Sequence, residues 1–257
     1  MSHTTLLDRV LAPGGIRIHF QPAYEVSGHG KRVHSLECLA RGPAGTNAAS
    51  ANVLFEYVRL KHKEAEVDRA CISAALSASR ELNAPRLGIN AHACTLARDP
   101  RFAEFLSTEL QQNGIDPTCL TLEILEHGPA LDSLSFLAAI ESVRALGVRI
   151  ALDDVGVGES NLRMLLDTRP DYIKLDRYFV HGASADRGRR AVLEAMALLA
   201  RRLGASIVAE GVELAGDLDC VLGLGIRLIQ GYVFCPALSP ADLLQREPEL
   251  RVQRPAA

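Results

Sequence analysis

The sequence predicts a closed α/β barrel, and two observations lead to that prediction. Short apolar runs alternate with longer stretches of helical pattern, as in proteins whose buried parallel strands are joined by helices. Most of these runs also end in a residue able to bind a metal ion or a phosphate. In a closed α/β barrel the C-terminal ends of the strands meet at one mouth, where the chemistry takes place. The eight predicted strands are residues 16–20, 33–39, 87–90, 120–125, 148–152, 172–175, 207–209 and 226–234.

The first two predicted strands differ from the others. The link between them, residues 25–32, is rich in turn residues and too short to hold a crossover helix. It therefore predicts an antiparallel hairpin. The remaining links are long enough for helices, so the predicted architecture is a TIM-like (β/α)8 barrel with one antiparallel strand.

Helix boundaries have their own signals. Asp99-Pro100 and Ser239-Pro240 each predict an N-cap followed by proline at the first helical position. Gly147 and Gly204 are each predicted to end a helix. We expect a lead-in over residues 1–15, one barrel domain over 16–246 and a frayed tail over 247–257.

The composition narrows the class of protein. A chain of 257 residues suits one barrel, and 48% hydrophobic residues allow a large core. The net charge of −3 argues against binding long nucleic acid. Six cysteines without a C-x-x-C pair indicate reduced thiols. No apolar run is long enough for a signal core or a membrane span, so we expect a soluble cytoplasmic protein.

The predicted mouth collects acids, amides and one lysine. These residues are Glu37, Asn90, Glu123, Asp153, Asp154, Lys174, Glu210 and Gln230. An all-oxygen ligand set suits magnesium or manganese rather than zinc. The pair Asp153-Asp154 is the sharpest signal, because adjacent buried carboxylates repel unless cations compensate them. An Asp-rich turn helped by Gly156 and Gly158 is the alternative.

Other candidates stay open at this level. Lys174 either orients a water and stabilises a phosphate, or forms a structural salt bridge to Asp153 or Glu210. The histidines, His92 among them, are scattered and are predicted to lie at the surface or in loops. No nucleophile elbow, P-loop or dinucleotide fingerprint is present, so nucleophilic serine or cysteine catalysis has little support.

Eight segments, in order, resemble motifs of the EAL domain, the bacterial cyclic di-GMP phosphodiesterase family. They are Phe20-Gln21-Pro22, Glu37-Cys38-Leu39-Ala40-Arg41, Asn90, residues 123–126, 153–160, 171–180 and 210–213, and Gln230-Gly231-Tyr232. The resemblance covers residues 20–238, nearly the whole chain. It implies hydrolysis of cyclic di-GMP to linear pGpG, with two magnesium or manganese ions, calcium being inhibitory, and a homodimer that uses the surface around residues 161–166. It leaves open protein partners that regulate the activity.

The resemblance also implies a role for each site residue. One metal would be held by Glu37, Asn90, Glu123 and Asp153, and the second by Asp153, Asp154 and Glu210. Lys174 would position the hydrolytic water, so that Lys174, Glu210 and Asp153 carry catalysis. Substrate would be bound by Gln21, Arg41 and Gln230, and the loop after the Asp pair would be supported by Glu126 and Glu213.

The loop after Asp154 departs from the family pattern. Residues 155–160 lack the family's Phe, Thr and Tyr, and Val157 stands in place of the threonine. We expect a loosened loop and weak binding of the second metal. This departure favours an alternative function, a catalytically weak cyclic di-GMP receptor or a protein-interaction module, whereas the complete ligand set and Lys174 favour hydrolysis.

Overall fold

Eight strands close into one barrel. The structure is a computed structural model that describes residues 4–125, 133–157 and 161–252. The strands, in barrel order, are β1 (Arg17–Ser27), β2 (Gly30–Arg41), β3 (Leu87–His92), β4 (Leu120–Leu125), β5 (Arg149–Val155), β6 (Tyr172–Leu175), β7 (Ser206–Ala209) and β8 (Leu228–Gln230). All eight predicted strands are present, and the predicted barrel is confirmed.

The first strand is the reversed one. It pairs antiparallel with both β2 and β8, whereas the neighbours from β2 to β8 pair in parallel. The predicted hairpin is therefore confirmed, but its predicted link of residues 25–32 is wrong. The ladder continues to the Ser27–Gly30 pair, and Glu25 faces Arg32 as an ion pair across the two strands. The predicted eighth strand was too long, because Gly231 leaves the ladder and lies against the backbone of Val212.

Helices surround the barrel and cover it. The helices are α1 (Leu6–Leu11), α2 (Ala51–Leu60), α3 (Glu64–Ser79), α4 (Ala93–Arg98), α5 (Phe102–Asn113), α6 (Ser133–Ala145), α7 (Asn161–Thr168), α8 (Arg177–Val180), α9 (Arg187–Leu203), α10 (Ala215–Gly223) and α11 (Pro240–Arg246). Single 3-10 turns lie at Asn47–Ala49, Pro117–Cys119 and Pro248–Leu250. Among the helices of the described segments, none combines the length and the apolar character that crossing a membrane requires.

Three of the four predicted helix boundaries agree with the structure. Ser239 caps α11, and Gly204 ends α9 in a left-handed conformation with φ of 75°. Gly147, with φ of 93°, lies in the turn after α6. The boundary at Asp99-Pro100 is wrong, because α5 begins at Phe102. Asp99 accepts a hydrogen bond from the backbone of Arg101 and so closes a turn ahead of the helix.

The expected frayed tail is wrong for residues 247–252. Leu250 is 2% exposed, and its carbonyl accepts a hydrogen bond from the backbone of Asn83. The Tyr24 hydroxyl donates to Glu247. One apolar anchor and two hydrogen bonds are enough to order this short segment. Residues 253–257 lie outside the described part of the chain.

The strand alternation separates the core from the site. Leu122 and Ile124 flank Glu123, and Ile173 and Leu175 flank Lys174; all of these side chains are buried. Successive side chains of a strand point to opposite faces, so the apolar ones pack under the helices and the charged ones enter the barrel interior. Each buried Leu or Ile contributes about 1.5–3 kcal/mol. The apolar face thus offsets the cost of burying charge inside the barrel.

Candidate active site

Lys174 lies at the centre of the mouth among four carboxylates. Its Nζ is 2.5 Å from Glu123 Oε2, 2.8 Å from Glu210 Oε1, and 3.2 Å from both Glu37 Oε2 and Asp153 Oδ1. The lysine is 3% exposed. One cation cannot balance four ionised carboxylates, so full ionisation would leave an excess of negative charge in a desolvated place. The predicted salt bridges from Lys174 to Asp153 and Glu210 are both present. They lie within the predicted metal site, so the same lysine is also placed to orient a water or a phosphate there.

Glycine at position 88 makes room for this arrangement. It is paired with Glu37 across the β2–β3 ladder and with Thr121 across the β3–β4 ladder. A Cβ at Gly88 would lie 2.0 Å from Glu123 Oε1, far inside contact distance. Only a residue without a side chain lets the Glu123 carboxylate occupy the barrel interior beside Lys174.

An amide network orients Glu37. The Nε2 of Gln230 donates to Glu37 Oε2 at 2.7 Å, and Asn90 Nδ2 donates to Glu37 Oε1 at 3.0 Å. Gln230 Nε2 also lies 3.3 Å from Gln21 Oε1, and Gln21 Nε2 donates to the carbonyl of Cys235. Among the described residues, the Oδ1 of Asn90 is one of few buried side-chain atoms without a hydrogen-bond partner. A buried orphan acceptor beside acids is suited to a metal ligand.

The acids form two overlapping groups that share Asp153. Ligand atoms of Glu37, Glu123 and Asp153 lie within 4.8 Å of one another, and so do those of Asp153, Asp154 and Glu210. Asp154 adopts the left-handed conformation, with φ of 51°, and its backbone N–H donates to Asp153 Oδ1 at 3.0 Å. This turn brings two consecutive carboxylates to the same place. The donor set, the shared carboxylate and the orphan Asn90 oxygen fit a pair of oxygen-coordinated divalent cations.

Burial and mutual repulsion perturb the acids in different directions. Burial, with Glu37 and Asp153 nearby, raises the pKa of Glu123 to about 8 against the attraction of Lys174. Burial likewise raises the pKa of Asp154 to about 6, with help from Asp153. Burial also raises the pKa of Asp153 and Glu210. For Glu37, Lys174 and the two amide donors outweigh burial, and the pKa is lowered. Without cations the site therefore holds protons.

The lysine behaves in the opposite way. Burial would lower the pKa of Lys174, but the four carboxylates outweigh burial and raise the pKa well above its ordinary value. In the metal-free site the carboxylates therefore favour the protonated form of Lys174. In that form it can donate hydrogen bonds and supply charge.

The remaining predicted residues take defined places. Arg41 is half-buried at the end of β2, in a cavity whose lining it shares with Glu37, Asn90 and Asp153. Glu213 accepts a hydrogen bond from Arg177 at 3.1 Å, and its support of the loop stays a prediction. Glu126 lies outside the described residues.

The loop after Asp154 is only partly described. Val155 is 1% exposed and pairs with Leu175, so this position keeps its packing despite the smaller side chain. Val157 is exposed, and residues 158–160 lie outside the described part of the chain.

Sequence reasoning missed two features of the mouth. Asp176, Arg177 and Tyr232 line the groove beside Lys174 and Glu210. The sequence signal that could have indicated them is their position, two or three residues after the predicted site residues Lys174 and Gln230. The prediction that His92 is a surface or loop residue is wrong, because it is buried and hydrogen-bonded to Asp68.

Comparison with known proteins assigns the chain to a family. The EAL domain family model matches residues 5–237, and the chain belongs to the EAL domain family. The cyclic di-GMP phosphodiesterase PdeL of Escherichia coli (strain K12) is 35% identical over 151 residues, which are 58% of this chain and 41% of PdeL. The chain thus spans less than half the length of this relative.

Solved structures resemble the barrel closely. Klebsiella pneumoniae BlrP1, in a manganese and cyclic di-GMP complex, has a TM-score of 0.76 at 26% identity, over 87% of this chain and 56% of that one. The phosphodiesterase PaMucR, in a cyclic di-GMP complex, has a TM-score of 0.81 over 93% of this chain and 98% of that one. Its identity is 23%, so this second likeness concerns the fold alone.

Proposed function

We propose that this chain hydrolyses cyclic di-GMP to the linear dinucleotide pGpG. The observation that carries the proposal is the pair of acidic groups that share Asp153 and surround Lys174. Water adds to the phosphorus of one phosphodiester, and the bond from that phosphorus to its 3′ oxygen breaks. The ring opens to a product with a 5′ phosphate and a free 3′ hydroxyl. The names of PdeL and BlrP1 support this choice of substrate.

Two magnesium or manganese ions are proposed as cofactors. Glu37, Asn90, Glu123 and Asp153 would hold one, and Asp153, Asp154 and Glu210 the other. When bound, the cations supply positive charge beside the phosphodiester and make a water more acidic. We expect calcium to bind to the same oxygen ligands and to inhibit.

The protein's own residues bind and orient the substrate. Lys174 is proposed to orient the attacking water by donating a hydrogen bond from its ammonium group. Arg41, with its planar fork, is proposed to bind a substrate phosphate. Gln21 and Gln230 fix the Glu37 side of the mouth and are proposed to contact the ligand.

A receptor without efficient turnover is the second candidate function. The observation that favours it is Val157, an exposed aliphatic residue in the loop beside the Asp pair. Such a loop would bind the second cation weakly, and the substrate would be bound but not cleaved. Protein partners would then bind the ligand-bound form of the chain in preference to the free form.

A homodimer is proposed on the face of α7. Leu162 and Leu166, one turn apart, are 63% and 65% exposed. Two large apolar side chains on one helical face are typical of an interface. Light scattering measures the molar mass of the wild type and of Leu166→Asp, and the variant should have the mass of a monomer. A variant with the same mass as the wild type would refute the α7 interface. The six free cysteines support a reducing compartment, and we propose the cytoplasm.

Turnover and binding assays separate the candidates. Purified protein with manganese and cyclic di-GMP should yield pGpG, measured by chromatography, and Asp153→Asn should yield none. Binding of cyclic di-GMP in calcium, without product in manganese, would refute hydrolysis and favour the receptor. Absence of both binding and turnover would refute both.

A further inference from the structure

The end of β3 is held by a side chain where strand pairing stops. The β2–β3 ladder ends at the Cys38–Ile89 pair, although β3 continues to His92 and β2 to Arg41. On the other side, β3 stays paired with β4 up to His92. Between the separated ends of β2 and β3 lies a cavity of about 190 Å³ whose lining includes Arg41 and Asn90.

Asp68 of α3 takes the place of the missing strand partner. Its Oδ2 accepts hydrogen bonds from the His92 backbone N–H at 2.9 Å and from Thr95 Oγ1 at 2.5 Å. Its Oδ1 lies 2.8 Å from His92 Nδ1. Asp68, His92 and Thr95 are all buried. We call this group the Asp68 clamp.

The clamp acts two residues after a proposed metal ligand. Asn90 is already bound to Glu37 through Nδ2, which leaves its Oδ1 buried and without a partner among the described side chains. The direction of that oxygen depends on the backbone of residues 90–92. On the β2 side this backbone lacks a ladder and is fixed by Asp68 instead.

We propose that Asp68 is a positioning residue for Asn90, and through Asn90 for the first cation. Asp68 does not touch the cation or the substrate. It holds the unpaired edge of β3 so that the Asn90 oxygen points toward Glu37 and the shared Asp153. The inference rests on the metal centre of the proposed function.

A matched control exists in the same chain. Asp217 is also buried and accepts three hydrogen bonds, from the backbone of Gly182, the backbone of Ser184 and the Ser184 hydroxyl, at 2.8–2.9 Å. It fixes the loop between α8 and α9 rather than a strand end beside a ligand. Asp217→Asn therefore reports the loss of a buried hydrogen-bonded carboxylate alone.

The test measures Mn²⁺ affinity of the metal-free protein by calorimetry, together with thermal stability. Asp68→Asn should raise the Kd for Mn²⁺ roughly tenfold, because residues that orient ligands typically affect affinity that much. Asp217→Asn should lower the Tm comparably and leave the Kd within about twofold. In an Asn90→Ala background, Asp68→Asn should change the Kd by less than about twofold, since Asp68 acts through Asn90.

Three results would overturn the inference: an unchanged Kd in Asp68→Asn, an equal loss in Asp217→Asn, or an equal loss in the Asn90→Ala background. If Asp68→Asn does not fold, Thr95→Val removes one clamp hydrogen bond and is judged by the same criteria. Calorimetry needs no substrate. A wild type that binds Mn²⁺ but does not hydrolyse cyclic di-GMP would refute the proposed function alone. A wild type that does not bind Mn²⁺ would refute both.

Discussion

Replacing Lys174 by methionine removes the central cation and keeps the length of the side chain. Four carboxylate oxygens lie 2.5–3.2 Å from its Nζ. At an effective dielectric constant of about 20, each contact is worth about 5–7 kcal/mol of Coulomb attraction. Repulsion among the acids and their uptake of protons offset most of that sum. Loss of one partner from a buried ion pair costs about 3–5 kcal/mol, and we use this range for the variant.

That range converts to a measurable melting shift. A 257-residue chain unfolds with an entropy of about 0.5 kcal/mol/K, so metal-free Lys174→Met should melt about 6–9 °C below the wild type. Saturating Mn²⁺ should narrow the gap, because bound cations replace the missing charge. The Kd for Mn²⁺ should not rise, since the lysine competes with cations for the same oxygens. Turnover should fall far more than substrate binding, because Lys174 acts on the attacking water.

Calorimetric melts with and without Mn²⁺, and initial rates, measure these effects. Lys63→Met is the control, since Lys63 pairs with Glu66 at the surface and such pairs contribute about 0–1 kcal/mol. A metal-free melting shift for Lys174→Met as small as that of the control would refute the charge argument. Weaker Mn²⁺ binding in the variant would refute competition between the lysine and the cations.

Three further predictions use other parts of the site. Gly88→Ala should weaken Mn²⁺ binding measured by calorimetry, because the added Cβ would displace the Glu123 carboxylate. Gly28→Ala is the control and should leave Mn²⁺ binding unchanged, since the space around Gly28 is open. Equal Mn²⁺ affinities of the two variants would contradict the prediction. The raised pKa values of Glu123, about 8, and Asp154, about 6, mean that the folded metal-free protein binds more protons than the unfolded chain. Glu123 should therefore make the metal-free stability fall as pH rises from about 5 to about 8, by up to about 1.4 kcal/mol per pH unit. Asp154 is exposed, so it should add only a smaller fall that ends near pH 6. A Tm in EDTA that is flat between pH 5 and 8 would argue against this prediction. Arg41→Ala should raise KM more than it lowers kcat in steady-state assays, because the arginine binds a phosphate of the substrate; a fall in kcat alone would assign it to the transition state.

The sequence by itself determined the barrel and most of the residues that meet at its mouth. The alternation of apolar and polar residues is local, so Glu123 between Leu122 and Ile124, and Lys174 between Ile173 and Leu175, could be assigned to the interior from neighbours alone. Where turn residues competed with the strand pattern, the predicted strand bounds were wrong. The turn residues between the first two strands concealed a ladder that continues to Ser27, because tertiary pairing outweighs a weak strand propensity.

Only the tertiary structure decided which of these residues touch. Glu123 and Lys174 are 51 positions apart, and Glu37 and Gln230 are 193 apart, so their contacts depend on the register of each ladder and on barrel closure. The burial of His92 against Asp68 likewise depends on where the β2–β3 ladder ends, which no short pattern encodes. Periodicity determines which way a side chain faces. Distances between elements depend on how whole strands and helices pack, and that packing sets the charges, the pKa values and the clamp at this site.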